Sequence, residues 1–176
     1  VHAMNARSMY ILRELGCWRH CPYAVMQKMQ VVNPSGRIHW TFDPETGQQP
    51  SLGSIVSVSA LHTILRDACQ AHAGITCYSA CKATQLSVHE THVSVVLSDE
   101  SVLKCRLFVG ADGMSSWSQS ALNVNVVRTA CHQSSIVATL QLEKGLNGLA
   151  WQSFLPTGPI ALLPKVADNE AALIWS

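Results

Sequence analysis

A mixed α/β and α+β fold, rich in sheet and served by a few amphipathic helices, is what the sequence predicts. Three observations carry that expectation. Hydrophobic residues make up 48% of the 176 positions and charged residues 13%, about half of the ~25% usual for soluble domains. The chain is therefore well supplied with core material and has nothing of the composition of a disordered region. Two stretches show apolar residues at three- and four-residue steps, whereas most of the remainder alternates or runs in short apolar blocks punctuated by Gly, Pro, Asn and Asp. Finally, the apolar run ending at Val109 passes directly into Gly110-Ala111-Asp112-Gly113 and a helix-forming stretch, the strand-turn-helix order of an α/β sheet. The length allows one domain or pieces of two.

Each element follows from local pattern. From Asn5 to Trp18, Met9, Leu12 and Leu15, with Ile11 and Trp18 less strictly, recur at helical spacing, and Gly16 offers a C-terminal stop. Pro22-Tyr23 breaks that pattern. Met29 to Val32 and Arg37 to Phe42 read as two strands around the turn Asn33-Pro34-Ser35-Gly36. Asp43 to Gly53 reads as a loop, Ile55 to Val58 as a short strand, and Ser59 begins a helix with Leu61, Ile64, Leu65, Ala68 and Cys69 on one side, ending near Gly74. Beyond it the texture becomes β, with strands expected at Ile75 to Ala80, Gln85 to Val88, His92 to Leu97 and Val102 to Val109. Met114 to Leu122 has the composition of a short helix. The remainder holds strands at Ile136 to Leu142, Leu149 to Leu155, Ile160 to Leu163 and Ala171 to Trp175.

Charge and cysteine content narrow the function classes. Twelve Lys and Arg against 11 Asp and Glu leave a net charge of +1, which argues against a nucleic-acid surface. No apolar run approaches the ~18 residues needed to span a bilayer, and the N-terminus lacks the basic-then-apolar order of a signal peptide. Val1 is not a methionine and Ser176 follows an apolar run, so the chain reads as an internal fragment. The seven cysteines form no C-x-x-C pair, which predicts free, mostly buried thiols in a reducing compartment. His89-Glu90-Thr91-His92 sets its histidines three apart, not the four of a zincin helix, and reads as a turn. No metal site is expected. Ser115-Ser116-Trp117-Ser118 lacks the G-x-S-x-G elbow of a serine hydrolase.

The stretch with chemistry in it is Arg106 to Ser116. An apolar strand entering Gly-Ala-Asp-Gly puts small residues where a backbone must approach a ligand, with a carboxylate at the mouth of the strand, where nucleotides bind in open α/β sheets. Val109-Gly110-Ala111-Asp112-Gly113-x-x-Ser116 resembles the second fingerprint of flavoprotein monooxygenases of the p-hydroxybenzoate hydroxylase type. The resemblance continues through Val1-x-Ala3-x-Asn5-x-x-Ser8, Leu15-Gly16-x-Trp18, Pro22-Tyr23, Met29-Gln30-Val31 and Leu52-Gly53-x-Ile55-Val56. It closes on Ala150-Trp151-Gln152-x-Phe154-Leu155-Pro156-Thr157-Gly158-Pro159-x-Ala161-x-Leu163-Pro164 and Ile174-Trp175-Ser176. Order and spacing are similar to the ubiquinone-biosynthesis branch over essentially the whole chain.

This resemblance implies a partial FAD/NAD(P)-binding Rossmann-like domain interleaved with a sheet-rich substrate domain: residues 1–21 and 51–127 in the first, 22–50 and 128–176 in the second. It implies an FAD-dependent aromatic-ring hydroxylase of ubiquinone biosynthesis, with O2 and a polyprenyl-phenol as substrates and NAD(P)H or a reductase or ferredoxin as electron donor. Another flavin monooxygenase of the same fold, or a truncated non-catalytic protein that binds other ubiquinone-synthesis proteins, are the competing readings. Gly110, Asp112, Gly113 and Ser116 are the expected cofactor residues; Gln152, Phe154, Pro156, Thr157 and Gly158 are the expected substrate residues. No catalytic residue is assigned. The G-x-G-x-x-G segment and the later Gly-Asp segment of the family lie outside these residues, so the chain alone is not expected to hold FAD tightly. A prenylated substrate implies peripheral membrane association, at the matrix side of the mitochondrial inner membrane or the cytoplasmic face of a bacterial one. The chain departs from the family at Val32-Asn33 (Trp-Asp), Ser57-Val58 (Glu-Asn), Gln119 (Arg) and Ser153 (Arg), and the last two remove forked cationic donors.

Overall fold

The computed structural model describes residues 1–176. Its elements run β1 (His2–Met4), α1 (Ala6–Glu14), β2 (Tyr23–Met26), β3 (Lys28–Val32), β4 (Ile38–Phe42), β5 (Gly53–Val56), α2 (Val58–Ala71), β6 (Ala83–Val88), β7 (Val93–Leu97), β8 (Val102–Cys105), α3 (Trp117–Ala121), β9 (Ile136–Gln141), β10 (Leu149–Leu155), β11 (Gly158–Pro164) and β12 (Glu170–Trp175), with 3-10 turns at Trp18–His20 and Pro44–Gly47. They form two compact units, Val1–Ile75 with His132–Ser176, and Thr76–Cys131.

In the first unit α1 begins where the Asn5 side chain accepts the Ser8 N–H at 2.9 Å, satisfying one of the orphan donors of a helix start. It ends as the sequence predicts: Gly16 takes φ +70°, and the N–H groups of Gly16 and Cys17 donate to the carbonyls of Arg13 and Leu12 at 2.9 Å, a Schellman closure. That closure turns Cys17 and Trp18 into the core in place of Leu15. Met9, Leu12, Cys17, Trp18, Cys21, Val56 and Leu61 form the buried cluster, with Met4, Ile64 and Leu65 packed on it. Leu15 and Ile11, expected on the apolar stripe, are exposed instead. Likewise the core reaches only the first half of α2, so Ala68 and Cys69 face solvent. The strand expected at Ile55 to Val58 is shifted to β5, because Ser57 becomes the N-cap of α2 and draws Val58 into the helix.

Strand β5 pairs antiparallel with β1 on one edge and β2 on the other. Both partners are too short to announce themselves by alternation. The larger sheet has the order β4-β3-β10-β11-β12-β9, all six strands anticipated by pattern. Within it β3 and β10 run parallel and the other neighbours antiparallel.

The second unit is the antiparallel meander β6-β7-β8 with α3 packed against β6. His89 donates its N–H to the His92 carbonyl at 2.8 Å, closing the two-residue turn Glu90-Thr91, and the two imidazoles stack at 4.4 Å. Three strand or helix expectations are corrected here. Ile75 to Ala80 is irregular, with Ile75 and Tyr78 exposed, because no strand lies alongside to take its backbone groups. The strand expected to reach Val109 stops at Cys105, where its partner β7 begins with the pair Val93–Cys105; Leu107 and Val109 are 77% and 71% exposed. The helix expected from Met114 starts at Trp117, since Ser116 is its N-cap.

All seven cysteines are free, but only Cys17 and Cys21 are buried; Cys69, Cys77 and Cys131 are exposed. The expectation of mostly buried thiols is thus corrected, because those three fall on the outer part of α2 and in irregular segments rather than in the core.

Candidate functional site

The Gly110 to Ser118 loop is organised around one carboxylate. Asp112 Oδ1 accepts hydrogen bonds from Ser116 Oγ at 2.6 Å and Ser118 Oγ at 2.7 Å, and Oδ2 accepts the Ser118 backbone N–H at 2.9 Å. Ser116 has a second task, accepting the Gln119 N–H at 3.1 Å as the cap of α3. These bonds, the Ser116 hydroxyl first and the Ser118 N–H and hydroxyl next, hold the Asp112 carboxyl far below the usual carboxylate range. The group is ionised and exposed, and one acceptor position on Oδ2 is left open by these bonds.

Two glycines shape the backbone around it. Gly113 sits at φ +81° with nothing within 4 Å of where a Cβ would stand, so a ligand can reach the main chain there without displacing any side chain. A Cβ on Gly110 would run into Ser118 Oγ, so glycine at 110 is demanded by the serine above it. An open backbone approach beside an ionised carboxylate with a free acceptor position fits a polyhydroxylated, hydrogen-bonding group such as FAD. Gly110, Asp112, Gly113 and Ser116, picked from sequence, are therefore gathered in one loop. Ser118 escaped that selection; the recurrence of serine four and six residues after Asp112 is the signal that marks it.

The second set of expected site residues lies on the β10–β11 hairpin of the other unit. Pro156 and Thr157 form its two-residue turn, flanked by the pairs Leu155–Gly158 and Phe154–Pro159. Alternation puts Gln152 and Phe154 on one face and Ser153 on the other. Register then extends the Gln152 row across the sheet as Trp40, Val31, Gln152, Ala161, Ile174 and Val137, with the Gln152 amide as its one side-chain acceptor. Trp40 is 55% and Phe154 56% exposed, whereas Val31 in the same row and Ala150 on the same face are buried, so the face is open only in part. A recess of about 490 Å³ lies on the opposite face, against Lys28, Gln30 and Leu149, and takes in none of the five residues. Thr157 borders a recess of about 200 Å³ with Ile136 and Trp175, below the ~300–1,000 Å³ of ligand pockets. Gly158, at φ +122°, has the Ser176 carbonyl where a Cβ would go, and the Ser176 N–H donates to the Pro159 carbonyl at 3.0 Å. Its glycine is accounted for by packing.

Ser153, in place of a family arginine, is 2% exposed and its hydroxyl has no partner. Ser57, in place of glutamate, caps α2 through a long 3.5 Å contact to the Ala60 N–H.

The model of the family described as "FAD binding domain" matches residues 1–158. The chain is 33% identical over 193 residues to the zebrafish (Danio rerio) "Ubiquinone biosynthesis monooxygenase COQ6, mitochondrial", covering 100% of this chain and 39% of that protein. It is 29% identical over 181 residues to the "3-demethoxyubiquinol 3-hydroxylase" of Escherichia coli (strain K12), covering 99% of this chain and 45% of the relative. The chain thus spans about two fifths of the length of these curated relatives. Among solved structures, pqsL, described as a probable FAD-dependent monooxygenase from Pseudomonas aeruginosa, superposes with a TM-score of 0.83 at 18% identity, over 98% of this chain and 49% of that one. The mixed α/β architecture is thereby that of FAD-dependent monooxygenases. With the family model matching residues 1–158, the chain belongs to the FAD binding domain family, among relatives that are ubiquinone-biosynthesis monooxygenases.

Proposed function

We propose that this chain is part of an FAD-dependent aromatic-ring hydroxylase of ubiquinone biosynthesis. The observation that supports it most directly is the open backbone at Gly113 beside the ionised Asp112. FAD, when bound, supplies two-electron chemistry with an electron donor such as NAD(P)H and the activation of O2. In this reading Gly110, Asp112, Gly113 and Ser116 form the cofactor loop: Gly113 admits close main-chain contact, Ser116 and Asp112 hold the turn rigid, and Oδ2 of Asp112 accepts from a ligand hydroxyl. Residues 1–21 and 51–127 belong to the cofactor part and 22–50 and 128–176 to the substrate part.

The substrate is an electron-rich phenol bearing an apolar prenyl tail. Gln152 offers the one amide in an apolar sheet row, able to orient a phenolic hydroxyl, and Phe154 offers an exposed aromatic surface on the same face. Pro156, Thr157 and Gly158 stiffen the hairpin end. No helix is long and apolar enough to cross a membrane, and peripheral association is proposed to deliver the lipid substrate, at the mitochondrial inner membrane on its matrix side or at the bacterial cytoplasmic face, beside other ubiquinone-synthesis proteins.

The test uses the product of the complete reading frame containing this chain. It should purify with FAD and hydroxylate a short-chain prenylphenol in an O2- and donor-dependent manner, and Asp112→Asn should lower flavin content without loss of fold. Absence of flavin and turnover, or unchanged flavin content in Asp112→Asn, overturns the reading.

A further inference from the structure

We infer that Ser118 is the positioning residue of this loop, acting through Asp112 and Gly110 on how the loop receives its cofactor. The inference rests on the reading of the loop as a cofactor site and assigns a role to a residue outside that set. Ser118 is 4% exposed and supplies two of the three bonds to Asp112, its N–H to Oδ2 at 2.9 Å and its hydroxyl to Oδ1 at 2.7 Å. A two-point attachment fixes the rotation of the carboxylate, which a single bond does not. The Ser116 hydroxyl gives one bond to the same oxygen and stands 3.0 Å from Ser118 Oγ.

Ser118 Oγ also occupies the space beside Gly110 where a Cβ would stand. One hydroxyl thus sets both the carboxylate and the path of the main chain entering the Gly110–Gly113 turn. With it in place Oδ1 is saturated by two hydroxyl donors, and only Oδ2 offers a further acceptor position. Ser118 thereby determines which oxygen of Asp112 a ligand hydroxyl meets. Without it, Oδ1 regains an open acceptor position and the Gly110 backbone loses its stop.

The experiment compares the product of the complete reading frame containing this chain, stripped of flavin, with its Ser118→Ala and Ser118→Thr variants. Two quantities are read: the carboxyl titration of Asp112, by 13C NMR, and the affinity for FAD titrated into the millimolar range, by flavin fluorescence. Ser118→Ala should raise the Asp112 midpoint and weaken FAD about tenfold, in the range of one lost hydrogen bond to a charged group. Ser118→Thr, which keeps the hydroxyl, should restore both. Gly110→Ala, which presses a methyl on an intact Ser118, should also weaken FAD, and it keeps the test open should Ser118→Ala fail to fold. An unmoved midpoint in Ser118→Ala overturns the inference, as does a moved midpoint with unchanged FAD affinity, which marks a purely local structural bond. If the unsubstituted full-length product shows no saturable FAD binding, the cofactor-loop reading falls and the inference falls with it.

Discussion

At the scale of single residues, Asp112 ties local geometry to solution behaviour. Its folded-state carboxyl is depressed by hydrogen bonds from Ser116 and Ser118, so the stabilisation it contributes is fully present above the unfolded carboxyl value of about 4 and is lost only as pH falls through the lower folded value. Hydrogen exchange at the Ser118 N–H should therefore stay protected at pH 3; loss of protection already near pH 4 would show the carboxylate is not held as described. Ser153 carries the opposite lesson. Its buried hydroxyl has no partner, and an unmade buried hydrogen bond costs about 1–3 kcal/mol, so Ser153→Ala should leave thermal stability unchanged or raise it, whereas a marked drop in Tm would reveal a partner. Gly113→Ala meets no atom and carries only left-handed strain, about 1–2 kcal/mol. Gly158→Ala adds overlap with the Ser176 carbonyl and should destabilise more in the same urea titration. Most of the cofactor loop was legible, because Gly110, Asp112, Gly113 and Ser116 are contiguous and their chemistry is local. Ser118 was not, because its part depends on the loop folding back over Gly110.

At the scale of elements, cap residues and core contacts decide where segments begin and end. Asn5 and Gly16 bracket α1 by side-chain and left-handed caps, which a sequence displays openly. Which side of the helix is buried is less legible: Leu15 repeats the spacing of Met9 and Leu12, yet the Gly16 turn brings Cys17 and Trp18 into its place. Leu12→Ala should cost about 2–5 kcal/mol, the range for emptying a buried leucine site, while Leu15→Ala, at a position 63% exposed, should fall within ~0.5 kcal/mol of the parent; equal losses at both in denaturant unfolding would refute the packing. Strands β9 to β12 were legible as short apolar runs punctuated by Gly145, Gly148, Pro156 to Pro159 and Asp168-Asn169. The short β1 and β2 exist because β5 has two edges with backbone groups to satisfy, and no pattern within three or four residues conveys that.

At the scale of the whole molecule, the segment from Asn123 to Ser135 lacks helix and strand and is exposed throughout, so limited trypsin digestion should cut first after Arg128. Initial cleavage within α1 or α2 instead would contradict the assigned stability order. The sequence by itself determined the mixed α/β class, the glycine stop of α1, the six strands of the large sheet and the glycine-carboxylate loop, because each depends on residues within a few positions of one another. Only the tertiary structure decided that Trp40, Val31 and Gln152 share one row, since the parallel pairing of β3 with β10 joins positions more than a hundred residues apart. It also decided that β8 stops at Cys105, where its neighbour runs out. A strand exists only where another backbone answers its hydrogen bonds, and the identity and reach of that partner are properties of the folded chain.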